Sequence, residues 1–139
     1  MKNEPITIQT VIKSPIKTVW NFWVDPKHIT QWAFASDDWE APYAENHLEV
    51  GSKFKTTMAA KDGSVSFDLT GTYTNIHDNK IIEYDLEDGR HVIVVFETVS
   101  EGTKVTQTFD PESENSRELQ KNGWQAILEN FKKHVESSS

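Results

Sequence analysis

The sequence predicts an α+β fold in which an antiparallel sheet of six or seven strands is followed by one long C-terminal helix. Short alternating runs of apolar and polar residues, separated by Gly, Asp or Asn, repeat between residues 53 and 110. A similar alternating run occupies residues 4–13. Beyond residue 111 the apolar residues take the spacing of a helix. A chain of 139 residues can bury a core of ordinary size, so a single domain is expected over residues 1–139.

The first strand is predicted over residues 4–13, where Ile, Thr and Val alternate with polar side chains. Ser14 precedes Pro15, which suggests an N-cap followed by proline at the first helical position. Apolar residues then recur at helical spacing and predict a short helix over about residues 15–24. If Ser14 is the cap, its replacement by alanine should cost about 0.5–2 kcal/mol.

The pair Asp25-Pro26 predicts the end of this helix and the start of a second short one that ends near Trp32. Residues 33–50 carry no clear period, so a loop is expected there, with one edge strand near residues 47–50. Tight turns then separate five strand-like runs that predict an antiparallel meander. The runs are KFKTTMAA, SFDLTGTYTNI, KIIEYDL, RHVIVVFETV and TKVTQTFD.

The C-terminal helix is expected to begin at Asn115 as N-cap, with Glu118 at the third helical position. Its apolar residues fall within one sector, and Trp124 lies in that sector. Gly123 costs about 1 kcal/mol in helix propensity, which suggests a close approach of another element there. The stripe consists of Trp124, Ile127, Leu128, Phe131 and Val135.

Composition excludes several classes of function. The chain has no cysteine, which rules out disulfides, thiolate nucleophiles and Cys-type zinc sites. A formal charge of −8 disfavours binding to nucleic acid. The N-terminus lacks the pattern of a signal peptide, and no apolar stretch is long enough to insert into a membrane. A cytoplasmic protein is expected.

Motifs for catalysis or metal binding are also missing. The five histidines never occur at the spacing of a metal pair, so neither a metal nor another cofactor is expected. They are His28, His47, His77, His91 and His134. No G-x-S-x-G elbow is present, and no catalytic residue is predicted. Four carboxylates could serve as acid and base, but strand periodicity favours a solvated outer face for them. These are Asp68, Glu83, Asp85 and Glu97.

The strand DGRHVIVVFE is apolar on both faces. One face is expected to meet the C-terminal helix or a cavity, and the other then needs cover. Either a second subunit or neighbouring side chains could provide it, so a homodimer is left open.

The order of elements and five segments resemble the START-like (SRPBCC) superfamily. The segments are SPIKTVWNFWVDPKHITQW, ENHLEVGSKFKT, GTYTNI with KIIEYDLEDGRHVIVVFE, GTKVTQTF and GWQAILENFKKHVE. Within the superfamily, the chain is similar to the C-terminal domain of activators of the Hsp90 ATPase. The resemblance covers nearly the whole chain. It implies a helix-grip fold, in which a curved sheet wraps the final helix around an internal cavity.

The resemblance implies non-enzymatic binding of a small hydrophobic or aromatic molecule, or a lipid, in that cavity. The aromatic side chains could form either a close-packed core or the wall of a cavity. The expected pocket is lined by these aromatic side chains, with Met58, Gln107 and Tyr84 as further lining residues. The predicted lining is Trp20, Trp32, Phe54, Met58, Phe67, Leu69, Tyr84, Phe96, Gln107, Trp124, Leu128 and Phe131.

Two other functions are left open by the resemblance. One is a chaperone-associated stress protein that contacts Hsp90, although 139 residues leave no room for the additional N-terminal domain of the cochaperone. The other is an enzyme of the cyclase or hydrolase kind, which would need a polar dyad inside the cavity. Nothing in the sequence requires such a dyad, so a binding protein is expected rather than an enzyme.

Overall fold

A computed structural model describes residues 4–138 and shows a seven-stranded antiparallel sheet packed against a long C-terminal helix. This confirms the predicted α+β, helix-grip architecture. The ends of the predicted domain, residues 1–3 and 139, lie outside the described residues. The strands are β1 (Ile6–Ile12), β2 (Trp39–Asn46), β3 (Lys53–Ala60), β4 (Ser66–His77), β5 (Ile81–Leu86), β6 (His91–Val99) and β7 (Gly102–Phe109). The helices are α1 (Ile16–Val24), α2 (Pro26–Trp32) and α3 (Arg117–Ser138).

The sheet has the strand order β1-β7-β6-β5-β4-β3-β2. Strands β3 to β7 pair in sequence through hairpins, as the turn signals predict. Strand β1 instead pairs with β7 at the far end of the chain, with Ile6 opposite Phe109 and Ile12 opposite Thr103. The N-terminal strand therefore becomes one edge of the sheet and β2 the other.

The core lies between the inner face of the sheet and the helices. Along β6, Val92, Val94 and Phe96 point inwards and are buried. His91, Ile93 and Val95 point outwards and are half-buried. Neighbouring strands thus cover part of the outer face, and its coverage by a second subunit stays a prediction.

Helix α3 carries the predicted apolar stripe. Its residues Leu128, Phe131 and Val135 are buried, and Trp124 is half-buried. The expectation for Gly123 is wrong, because a Cβ at this position would meet no atom within 4 Å. Gly123 therefore lies in open space rather than at a close approach. No helix within residues 4–138 is both long and apolar enough to cross a membrane.

The edge strand lies earlier in the chain than the sequence predicts. Strand β2 covers Trp39–Asn46, whereas residues 47–50 form a loop and turn. Pro42 makes this strand hard to predict, because proline lacks a backbone N–H donor and interrupts the alternation of apolar and polar residues. An edge strand tolerates it, and the register of β2 against β3 shifts between Glu40 and Tyr43 around this proline.

Both predicted N-caps are displaced by one residue. Pro15 itself occupies the N-cap position of α1, and its carbonyl accepts hydrogen bonds from the backbone N–H groups of Thr18 and Val19. Before α3, the Ser116 hydroxyl accepts a hydrogen bond from the backbone N–H of Leu119 at 3.0 Å. Ser116, rather than Asn115, therefore caps this helix, because its oxygen reaches the third residue of the helix.

Replacing Ser14 with alanine is consequently expected to leave the free energy of unfolding unchanged or to raise it by up to about 1 kcal/mol. The Ser14 hydroxyl is buried and has no hydrogen-bond partner within the described residues. Its removal therefore leaves no group newly unpaired. Urea denaturation measures the change.

A matched control is Thr103→Val, because Thr103 is hydrogen-bonded to the backbone of Ser14. The Thr103 hydroxyl donates to the Ser14 carbonyl at 2.8 Å and is fully buried. Its loss leaves that carbonyl unpaired and is expected to cost about 1–3 kcal/mol. A loss of stability in Ser14→Ala equal to that in Thr103→Val would contradict the assignment of Pro15 as the cap.

Candidate functional site

A cavity of about 340 Å³ lies between the inner face of the sheet and the helices. Strands β2, β3, β4, β5 and β7 contribute to one wall, and α1, α2 and α3 contribute to the other. Exposed Phe67 and Asn115 border the cavity and mark where it reaches the surface. The volume lies at the lower end of the range of about 300–1,000 Å³ that is usual for small-molecule sites.

Aromatic rings form much of the sheet side of this cavity. The ring of Phe54 lies edge-on to Tyr84, with centroids 4.8 Å apart, and is tilted against Tyr73 at 5.4 Å. Gly71 makes room for Phe54, because a Cβ at this glycine would lie 2.7 Å from Phe54 Cε2. The missing side chain therefore lets the Phe54 ring settle against the sheet.

Trp124 forms part of the helix side. Its ring stacks on Phe109 of β7, with centroids 3.9 Å apart and an interplanar angle of 7°. It borders the cavity together with Ile127 and Leu128, the next apolar turn of α3. Trp124 thus links α3 to the sheet and at the same time presents apolar surface to the cavity.

Polar side chains deep in the cavity are few. The Tyr73 hydroxyl donates a hydrogen bond to Asn46 Oδ1, and Asn46 Nδ2 donates to the Val24 carbonyl at 2.7 Å. Burial raises the pKa of Tyr73 and of Tyr84, which keeps both phenols neutral. The side chain of Gln107 interacts with the Tyr84 hydroxyl, and both residues are buried.

The surface end of the cavity is more polar, and its groups are bonded to one another. Buried Gln120 accepts a hydrogen bond from the backbone N–H of Glu112 and donates to the carbonyls of Glu112 and Asn115. The Glu112 carboxylate in turn accepts from Asn115. Arg90 Nε donates to Asp88 at 2.8 Å. Hydrogen bonds therefore hold the segment before α3 in place over this end.

The structure places nine of the twelve predicted pocket residues on the cavity wall. Trp20, Phe96 and Phe131 do not border it and lie in the core instead. The first two meet edge-on, with centroids 5.1 Å apart, because α1 packs directly on β6. The nine on the wall are Trp32, Phe54, Met58, Phe67, Leu69, Tyr84, Gln107, Trp124 and Leu128. Their contact with a ligand stays a prediction.

Sequence reasoning missed several wall residues. Ile82 precedes Tyr84 by two residues on β5, and Tyr73 shares the face of β4 that carries Leu69, so period-2 alternation could have found both. Asn46 and Thr56 gave no such signal, since polar residues on strands usually face solvent. The remaining additions are Trp23, Ile29, Ala33, Arg90, Glu112, Asn115, Gln120 and Ile127.

The carboxylates considered as acids or bases lie outside the cavity. Asp68 is exposed and accepts a hydrogen bond from Thr57 at 2.7 Å. On the outer face, His91 Nδ1 lies 2.5 Å from Asp85 and Nε2 lies 3.0 Å from Glu83. The Asp85 hydrogen bond raises the pKa of His91, and Asn75 together with His91 lowers that of Glu83. The β5–β6 hairpin register places Asp85 opposite His91, which a prediction of cross-strand pairs could have found.

A pair of histidines joins α2 to α3. His28 Nδ1 lies 3.0 Å from His134 Nε2, and the Phe22 ring stacks on His28 with centroids 3.8 Å apart. Burial lowers the pKa of His134, and the neighbouring His28 adds to this shift. Within residues 4–138, no three His, Cys, Asp or Glu side chains are grouped so that they could hold a metal ion.

The chain is similar to members of one protein family. A family model described as activator of Hsp90 ATPase homolog 1-like protein matches residues 13–136. An AHSA1-like protein from Aeromonas hydrophila is 42% identical, with a TM-score of 0.91, over 96% of this chain and 93% of that one. A protein from Cytophaga hutchinsonii is 46% identical, with a TM-score of 0.84, over 97% and 94% of the two chains.

More distant structures share the fold alone. A protein from Chromobacterium violaceum is 18% identical, with a TM-score of 0.86, over 96% of this chain and 99% of that chain. No curated protein matches the sequence. The family and the architecture of the chain are therefore shared with known proteins.

Proposed function

The chain belongs to the activator of Hsp90 ATPase homolog 1-like family of the START-like superfamily, and we propose that it binds a small hydrophobic or aromatic molecule in its central cavity. The observation that carries the proposal is the cavity of about 340 Å³ with its apolar and aromatic wall. Concave sites with a few polar groups among apolar side chains are typical of small-molecule binding. A close-packed interior would leave no such space.

The wall residues favour binding over catalysis. Among the described residues that line the cavity there is no histidine, and Glu112 is the single carboxylate. That carboxylate already accepts two hydrogen bonds from Asn115. The histidine–carboxylate cluster of His91 lies on the opposite face of the sheet. A hydrolase or cyclase would need an acid–base pair facing the cavity, so we propose a non-enzymatic role.

Binding of a neutral apolar dye, N-phenyl-1-naphthylamine, tests the proposal. We expect saturable binding at one site per chain, with increased fluorescence. Met58→Trp should weaken it about tenfold or more, because the larger side chain fills space on the cavity wall. Fluorescence titration gives both affinities.

The control is Lys55→Trp, which adds the same side chain to the same strand. Lys55 is three residues before Met58 on β3 and forms an ion pair with the exposed Asp68 on the outer face. The Lys55→Trp variant should leave the affinity for the dye unchanged. Equal weakening by both variants, or no binding to the wild-type protein, would contradict the proposal. A native mass spectrum of freshly purified protein would show any co-purified ligand by its mass.

The family match supports a second candidate, a chaperone-associated role. The matching family is named for activation of the Hsp90 ATPase, and the match covers residues 13–136. The test is the ATPase rate of purified full-length Hsp90 with and without a molar excess of this protein. A raised rate that persists in Met58→Trp would support a surface role independent of the cavity. An unchanged rate would contradict this candidate.

A further inference from the structure

We propose that the ligand is an uncharged, mainly apolar molecule with one hydrogen-bond-accepting oxygen, such as a ketone, and that Tyr84 and Gln107 bind this oxygen. The inference rests on the proposed function, because it names the class of ligand for the same cavity. It follows from the hydrogen-bonding capacity and charge of the groups on the cavity wall.

The two side chains reach the same region from different strands. Tyr84 on β5 is paired with Val92 of β6, and Gln107 on β7 is paired with Val94, so a single strand separates them. Both point to the inner face and border the cavity. Only 7% of Tyr84 and 6% of Gln107 is exposed, so little bulk water reaches them. Their polar atoms are therefore available mainly to each other and to a ligand.

Tyr84 and Gln107 together have more hydrogen-bond donors than acceptors found for them among the described residues. The Tyr84 hydroxyl carries one donor hydrogen and the Gln107 amide carries two. Their mutual interaction uses one of the three, and no other hydrogen bond links either side chain to a residue within 4–138. At least two donor hydrogens remain without a protein acceptor. Buried donors are normally paired, so the site is suited to a ligand that supplies an acceptor.

The neighbouring tyrosine provides the contrast. Tyr73 borders the same cavity and is equally buried, but its hydroxyl donates to Asn46, which is held in turn by the Val24 carbonyl. Its donor hydrogen is therefore already used. The two tyrosines differ in hydrogen bonding while sharing the same wall, which makes Tyr73 a matched control for Tyr84.

Charge on the wall favours a neutral ligand. A buried anion needs a paired cation, in addition to hydrogen-bond donors, to offset the loss of hydration. The cation among the described wall residues is Arg90, and its guanidinium already donates to Asp88. Glu112 adds a negative charge at the same end of the cavity. Burial is the main cause of the raised pKa of Tyr84, and this hydroxyl therefore stays a neutral donor.

The test compares three naphthalenes with similar shapes: the ketone 2-acetylnaphthalene, its hydrocarbon isostere 2-isopropenylnaphthalene, and the anion 2-naphthoate. Affinities are measured by displacement of the dye. In Tyr84→Phe and in Gln107→Leu, affinity for the ketone should fall on the order of tenfold. Affinity for the hydrocarbon should change less than about twofold, because the apolar wall is retained.

Tyr73→Phe is the control and should keep the ratio of ketone to hydrocarbon affinity found in the wild-type protein. The infrared carbonyl band of bound ketone provides a second measurement that needs no variant. In the wild-type protein it should shift to lower frequency than in an alkane, as hydrogen bonding weakens the C=O bond. This reading holds even if a variant fails to fold.

Several outcomes would overturn the inference. These are an unshifted carbonyl band, an equal loss of ketone and hydrocarbon affinity in Tyr84→Phe, or a ketone affinity that falls as far in Tyr73→Phe. Tightest binding of 2-naphthoate, lost in Arg90→Gln, would replace the ketone with an anionic ligand. Binding of the hydrocarbon alone contradicts this inference and leaves the proposed function standing. Failure of all three compounds and the dye to bind contradicts both.

Discussion

Replacing Gly102 with alanine is expected to lower the free energy of unfolding by about 2–6 kcal/mol. Gly102 has a φ of +143°, and a Cβ there would lie 2.1 Å from the Ile12 carbonyl oxygen. It would also approach the Ser14 nitrogen at 2.9 Å. Both are backbone atoms of the segment between β1 and α1, so the clash can be relieved only if the backbone moves. Urea denaturation at constant m-value measures the loss.

The control for this variant is Gly123→Ala in helix α3. This glycine has open space around its Cβ position and an ordinary helical backbone. Alanine there should raise the free energy of unfolding by about 0.5–1 kcal/mol. The same chemical change is thus expected to have opposite effects at two sites. A Gly102→Ala protein with the midpoint of the wild type would show that the two chain segments do not approach as described.

Phe131→Ala is expected to cost about 3–5 kcal/mol, and Trp124→Ala is expected to cost less although it removes a larger side chain. Phe131 is fully buried and its ring meets Trp23 and Trp32 edge-on, at 4.9 Å and 4.7 Å between centroids. The hole left behind is enclosed by core side chains. Trp124 is half-buried and borders the cavity, so its removal enlarges existing space.

The measurement is the denaturation midpoint of both variants, with Trp124→Phe as the conservative control. Trp124→Phe keeps an aromatic ring near Phe109 and should lower the free energy of unfolding only slightly. It should also alter the affinity for the naphthylamine dye. Equal losses in Phe131→Ala and Trp124→Ala, without any effect of Trp124→Phe on the dye, would assign Trp124 to ordinary core packing.

Regular strands and the amphipathic helix could be predicted because each has a period visible in the sequence. The five runs of the meander and the stripe of α3 are confirmed in order and nearly in extent. Strand β2 was missed because Pro42 and a register shift interrupt its alternation. The two helix starts were displaced by one residue. Asn115 and Ser116 are adjacent caps of similar quality, and α1 begins after Pro15 without any side-chain cap.

The site was harder to predict than the fold. An apolar side chain facing inwards can meet either a helix or empty space, and the sequence does not distinguish these cases. Phe96 and Tyr84 both point to the inner face of neighbouring strands, but α1 covers the former through Trp20 and leaves the latter open to the cavity. Which residues form the cavity wall therefore depends on contacts between the short helices and strands that are distant in the sequence.

The pairing of β1 with β7 sets the order of events while the chain is being synthesised. Ile12 finds its partner in Thr103 and Ile6 in Phe109, about a hundred residues later. At about 5–20 residues per second, the first strand leaves the ribosome many seconds before the strand that it pairs with. During this interval its three buried isoleucines, Ile6, Ile8 and Ile12, have no sheet to cover them. Strand β1 is thus an exposed apolar segment that joins the sheet only after β7 has been translated.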